Sequence, residues 1–139
     1  MDRDILKFCK HVAKTHYSVV WKPTPDPKDK YWDYPAMASI CRYHGCIGKG
    51  CSQYFGNVSW DYFLKRIIER LGSMGYGSDI CSYPLGQCAE QHACNNLAKR
   101  TALNLRVLYN LRFSESVRPR TLQVFPPCAN CKEIFPTLN

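Results

Sequence analysis

The stretch Gly86-Gln87-Cys88-Ala89-Glu90-Gln91-His92-Ala93-Cys94-Asn95-Asn96-Leu97 decides how this chain is read. It sets a cysteine two positions ahead of a glutamate, with a histidine and another thiol close behind. Ala93 and Leu97 recur at a helical step that Leu105 and Leu108 continue, so a helix is expected from Cys88 until Arg118-Pro119 breaks the pattern. Which of its polar residues carries chemistry depends on a second stretch, Phe125-Pro126-Pro127-Cys128-Ala129-Asn130-Cys131.

Two cysteines with two residues between them direct both thiolates at one metal ion, particularly when the first opens a helix. Proline just ahead suits a helix beginning, and the free backbone N–H groups there favour thiolate. Taken alone, such a pair is equally a redox couple or half of a structural zinc ribbon. Joined to Cys88 it becomes more specific. Cys88, Cys128 and Cys131 supply three zinc ligands and leave the fourth position for water, the mark of a catalytic rather than structural site. Glu90 is close enough to reach that water without entering the coordination sphere. His92 follows Cys88 by one helical turn and is read as support or packing, and Cys94 as core.

Working outward, the chain has 139 residues, enough for one domain with a real hydrophobic core. It is expected to form a single domain over 1–139, with an N-terminal helix and Pro-rich loop in 1–35 and a zinc-bearing core in 36–139. Nineteen Lys and Arg against eleven Asp and Glu leave a formal charge of +8. That balance favours an anionic partner, nucleic acid first and a membrane surface second. The excess is concentrated: Lys99, Arg100, Arg106, Arg112, Arg118 and Arg120 face the single acid Glu115. Nine cysteines cannot pair completely within one chain, and no secretory signal precedes them. A reduced compartment with some thiols on metal fits better than a disulfide scaffold. No apolar run approaches membrane-spanning length.

Residues 2–16 read as a helix, with Ile5, Cys9, Val12 and His16 at three- and four-residue steps and Asp2 and Asp4 at its start. The prolines of 21–30 deny regular hydrogen bonding, so 21–35 reads as a surface loop whose Tyr31, Trp32 and Tyr34 are candidates for a lid. Residues 36–51 read as a hairpin turning at His44-Gly45. Trp60, Phe63, Leu64, Ile67, Ile68 and Leu71 form a helical stripe that Ser59 can cap and Gly72 can end. The Gly- and Ser-rich 72–87 reads as loop, and Thr121-Leu122-Gln123-Val124-Phe125 as a short strand. Cys41, Cys46 and Cys51 are read as buried thiols, and Cys81 has no evident partner.

Cys88-Ala89-Glu90 followed by Pro127-Cys128-Ala129-Asn130-Cys131 resembles the signature of the zinc-dependent nucleobase deaminases. The wider wording, Gly-x-Cys-Ala-Glu-x-x-Ala and then Pro-Pro-Cys-x-x-Cys, is similar to deaminase domains at the C-termini of bacterial polymorphic toxins, including the YwqJ-like group. The match is strong over 86–98 and 121–131, architectural over 36–71 and weak over 1–35. The resemblance implies an α/β fold of the cytidine-deaminase kind. Its small mixed sheet, the hairpin plus a third strand, would be packed by helices and minimal at the C-terminus, since eight residues follow Cys131. It implies Zn2+ as cofactor, a water activated near neutral pH, and Glu90 moving protons as cytosine becomes uracil or adenine hypoxanthine.

Free-nucleoside deaminases carry a Phe-Asn-x-Glu element for the ribose, whereas this chain reads Phe55-Gly56-Asn57-Val58 and lacks that glutamate. With the basic 99–120 segment, this favours cytosine in a polynucleotide, DNA over RNA and single- or double-stranded. A free cytidine deaminase and a non-catalytic zinc-stabilised nucleic-acid-binding module are the alternatives. Candidate substrate contacts are Phe125, Asn57, His44, Trp60 and Ala89. The toxin resemblance further implies an immunity protein as partner, a monomer without membrane attachment, and action in a reduced cytoplasm after delivery.

Overall fold

A computed structural model describes residues 1–20 and 37–139. The Pro-rich segment with its three candidate lid aromatics lies outside the described residues. The first helix, α1 (Arg3–Val20), starts where expected: the Asp2 carboxylate accepts the Asp4 N–H at 2.7 Å. Ile5, Cys9 and Val12 turn its apolar stripe inward and are buried.

The hairpin follows as β1 (Ala38–Tyr43) and β2 (Cys46–Cys51), paired antiparallel from Ala38↔Cys51 to Tyr43↔Cys46. His44 takes the left-handed conformation of the turn, φ 51°. Alternation along β1 assigns its two faces. Ala38 and Ile40 meet Ile5, Cys9 and Val117 on the α1 side. Ser39 and Cys41 pair with Gly50 and Gly48 and face the other way. The Arg42 guanidinium, 2.9 Å from both the Asp2 and Asp4 carboxylates, ties the far end of β1 to the start of α1.

On the opposite face lie α2 (Tyr62–Glu69) and α3 (Ala89–Leu97), which share a core through Leu64, Ile68, Leu85, Ala93 and Leu97. The cap of α2 is Asp61 rather than Ser59: its carboxylate accepts the Leu64 N–H at 3.0 Å. Trp60 precedes the helix, its indole N–H donating to the Phe55 carbonyl at 2.9 Å. The helical spacing from Leu97 to Leu108 proves to span two helices. The chain turns after Leu97, and Asn104 restarts it as α4 (Leu105–Leu108) by accepting the Val107 N–H at 3.0 Å. A side-chain cap supplied in mid-pattern overrides apolar periodicity there.

Three short strands follow: β3 (Arg112–Phe113), β4 (Ser116–Val117) and β5 (Val124–Phe125). They extend the sheet in the order β2-β1-β4-β5, with β3 also on β1. The protein is α/β with a small sheet packed by helices, as expected, but the sheet has five strands rather than three. Every pairing among the described residues is antiparallel, which corrects the mixed sheet. The strand expected over 121–125 shrinks to its last two residues because Leu122 adopts φ 60° in the tight return from Arg118. Finally α5 (Ala129–Ile134) carries the cysteine pair, and the buried Phe135 beyond it stacks on Phe113 with ring centroids 4.9 Å apart. No helix of the described residues is long and apolar enough to cross a membrane.

The seating of α3 fixes everything near Cys88. A Cβ on Gly48 would stand 2.2 Å from the Ala93 carbonyl oxygen, and one on Gly50 2.2 Å from the Ala93 nitrogen. These obstacles are backbone atoms and cannot rotate away. Gly50→Ala is therefore expected to cost about 3 kcal/mol, the upper range for overpacking, in urea or thermal unfolding. Gly45→Ala, with nothing within 4 Å of the added carbon, is expected to leave the midpoint unchanged.

Candidate metal centre and buried carboxylate

Both halves of the cysteine motif sit at helix starts. Cys88 is the N-cap of α3 and Cys128 the N-cap of α5, each with extended backbone and with a carbonyl that accepts from the next turn. Their side chains leave the helices where backbone N–H groups are unpaired and the helix dipole favours negative charge. Cys131, one turn into α5, completes the group. The three Sγ atoms lie within 4.8 Å of one another, with Cys88 and Cys128 3.4 Å apart. Cys131 is buried, whereas Cys88 and Cys128 are half-buried.

Three thiols this close cannot all ionise without help. The Cys128 thiol is held down to about 2 by hydrogen bonds from Cys131 and Cys88, reinforced by the backbone N–H groups of Cys131 and Asn130. Cys88 and Cys131 are pushed up in consequence, each by its hydrogen bond to Cys128. A divalent cation reverses that balance by making each thiolate favourable to the others. Three soft sulfurs in one cluster suit zinc among the common divalent ions. Cys88, Cys128 and Cys131 thus lie close enough to bind a metal ion, in a donor set compatible with zinc.

Glu90 sits in the first turn of α3, with 5% of its surface exposed. Burial pushes its carboxyl above the usual carboxylate range, and the negative charge of Cys128 pushes it further. Hydrogen bonds from its own backbone N–H and from the Ser116 hydroxyl act in the opposite direction. Val117 packs on the α1 side of the sheet, so its neighbour Ser116 faces α3, where the carboxylate is. Ser116 escaped the sequence reading because nothing about a serine in a two-residue strand signals its partner.

Two buried amides were missed as well. Gln91 Nε2 donates to Cys131 Sγ at 3.4 Å while its Oε1 accepts the Gly86 N–H at 2.7 Å. Asn130, between the paired cysteines, donates to the Tyr83 carbonyl at 3.0 Å and also meets the Ser78 hydroxyl. A signal for Asn130 was present, since a residue between two ligands on a first helical turn is forced toward whatever covers the metal. His92 lies within 2.8 Å of the Gly86 carbonyl and 3.2 Å of the Gln53 carbonyl through Nε2, and its ring centroid is 5.0 Å from that of Trp60. Burial lowers its pKa, so it stays neutral and acts as a clamp on the loops around Cys88.

The remaining candidates are distributed unequally. Phe125 is half-buried on β5 directly opposite Ser116. Ala89 is the buried first residue of α3. Asn57 is exposed on a one-turn 3-10 helix (Phe55–Asn57) whose Phe55 packs on Gly86, two residues before Cys88. Trp60 stands behind His92 as a wall of the core. His44 is exposed at the hairpin turn, beside the end of α3 where Cys46 Sγ meets the Arg100 carbonyl. The structure places it at the end of α3 away from Cys88.

Replacing any one of Cys88, Cys128 and Cys131 by serine is expected to reduce bound zinc from about one per chain to below a fifth, read by elemental analysis. Cobalt substitution is expected to give a thiolate charge-transfer absorption that weakens in the same three variants. Cys81→Ser is expected to leave both readings unchanged. No protein-family model matches this chain, and neither any curated protein nor any solved structure is significantly similar to it.

Proposed function

We propose that this protein is a zinc-dependent hydrolytic deaminase that converts cytosine to uracil in nucleic acid, with DNA the favoured substrate. One observation carries the reading: Glu90, buried in the first turn of α3, sits two residues from Cys88 of the three-cysteine cluster, where burial pushes its carboxyl above the usual carboxylate range. A structural zinc site has no use for such a carboxylate, because burying a charge without full pairing costs stability. An acid–base catalyst needs that placement, since a carboxyl poised nearer neutrality can both accept and return a proton.

When bound, zinc supplies a Lewis acid that lowers the pKa of a water to near neutrality. The chain's own residues do the rest. Glu90 accepts a proton from the attacking water, delivers it to the ring nitrogen, and assists the amino group to leave as ammonia. Ser116 keeps the carboxylate oriented through these transfers. Phe125, opposite Ser116, lies on the face where an unpaired base would stack. The net charge of +8 favours a polyanionic substrate over a free nucleoside. The same reading carries the expectation of a toxin origin, an immunity partner and a monomeric enzyme.

Glu90→Gln is expected to abolish uracil formation in single- and double-stranded DNA by at least about 10³-fold, with zinc content intact. The same substitution has a second signature in the metal-free protein. The folded-state pKa of Glu90 lies above its unfolded value, so its stabilising contribution is present while the group is protonated. That contribution is lost as pH rises through the raised folded value. At neutral pH, Glu90→Gln is therefore expected to raise Tm by about 2–4 °C, a gain that disappears near pH 4. Intact zinc and DNA binding with no deamination of DNA, RNA or free nucleosides would exclude the enzyme.

A further inference from the structure

We propose that Arg118, seated on the ring of Phe125, is a phosphate-binding residue that holds the nucleic-acid strand beside the carboxylate. Its guanidinium carbon lies 4.6 Å from the Phe125 ring centroid. Phe125 is the register partner of Ser116, whose hydroxyl is one of the groups acting on the Glu90 carboxyl. Alternation along the strand puts Arg118 on the same face as Ser116, because Val117 between them turns to α1. A chain of adjacent side chains therefore runs from Glu90 through Ser116 and Phe125 to an exposed cation.

Three features suit that cation to a phosphate. Its backbone is fixed by two hydrogen bonds, from its own N–H to the Gln123 carbonyl at 2.9 Å and from the Leu122 N–H to its carbonyl at 2.8 Å. The aromatic ring holds the guanidinium plane and leaves its outward N–H donors free for a second partner. No carboxylate among the described residues pairs with it, in contrast to Arg42 with its two aspartates. A planar, preorganised and unneutralised guanidinium is the side chain best matched to a phosphodiester. The separation of roles follows: the base goes to Phe125 and the cluster, and an adjoining phosphate goes to Arg118.

This inference rests on the nucleic-acid reading above, and binding can be measured apart from turnover. The zinc-loaded protein is titrated with a three-nucleotide deoxycytidine oligomer at several salt concentrations. Arg118→Ala is expected to weaken binding about 5- to 10-fold at 0.1 M salt and to reduce the log–log salt slope by about 0.7, the value for one phosphate contact on a single strand. Arg118→Lys is expected to keep the slope, and Arg118→Gln to lose it while keeping much of the packing on Phe125. Arg100→Ala makes the same charge change at the other end of α3 and is expected to leave both affinity and slope unchanged. In turnover, Arg118→Ala is expected to raise KM for the oligomer by more than it lowers kcat. An unchanged slope in both Arg118→Ala and Arg118→Gln, or an equal loss in Arg100→Ala, would overturn the assignment. A wild-type protein that binds with this slope yet deaminates nothing would instead count against the catalytic reading and leave the phosphate contact standing.

Discussion

The constraint on which the rest depends is the contact between the backbone of α3 and the glycines of β2. Helix and strand approach so closely at Gly48 and Gly50 that no side chain fits between them. That contact fixes the height of α3 over the sheet and the position of its first turn. Cys88 and Glu90 lie on that turn, so a shift of the helix would carry ligand and carboxylate away together. The partner cysteines come from α5, which is anchored independently by Ile134 and Phe135 in the same core. Two rigidly seated helix starts meeting at one point are what bring three sulfurs together from positions forty residues apart.

Polar residues inside α3 then serve the cluster rather than weaken the core. Gln91, His92 and Asn95 are all buried, and each hydrogen-bonds to residues outside α3. Asn95 reaches the Ser59 carbonyl and receives the Asp61 N–H, which joins α2 to α3. Such a satisfied network specifies one arrangement of the loops, since each broken bond would leave a buried polar group unpaired. Asn130 extends it to the 78–83 loop from between the two ligands. The loops around the cluster are thus fastened by side chains of the same two helices that carry the cysteines.

This separates what the sequence displayed from what it concealed. The cysteine spacing, the hairpin turning at His44-Gly45 and the stripe of α1 are local patterns, and local chemistry dictates them. The division of the long helical pattern into α3 and α4 was hidden, because Leu97, Leu105 and Leu108 keep a helical step across a break that a single capping asparagine makes. The two added strands were hidden as well: two residues carry no alternation to detect, and β3 and β4 exist only because β1 offers an edge. Ser116 was illegible for that reason, since its role follows from its strand. His44 shows the reverse failure. A residue type suited to stacking bases was placed by chemistry alone, and topology put it at the other end of α3.

The electrostatics of the centre also constrain what can approach it. Three thiolates and a carboxylate would carry more negative charge than one divalent cation neutralises, so the interior of a loaded site would stay anionic. Phosphate is repelled from such an interior, and a neutral heterocycle is not. The surface at Arg118 is the converse, because its guanidinium is exposed and no carboxylate among the described residues pairs with it. On the proposed reading, a nucleotide meeting these two fields would be sorted before any specific contact forms, with its base drawn inward and its backbone held outside. Arg118, seated on the ring of Phe125 opposite Ser116, would stand on that boundary, where the sorting turns from a general attraction into an orientation.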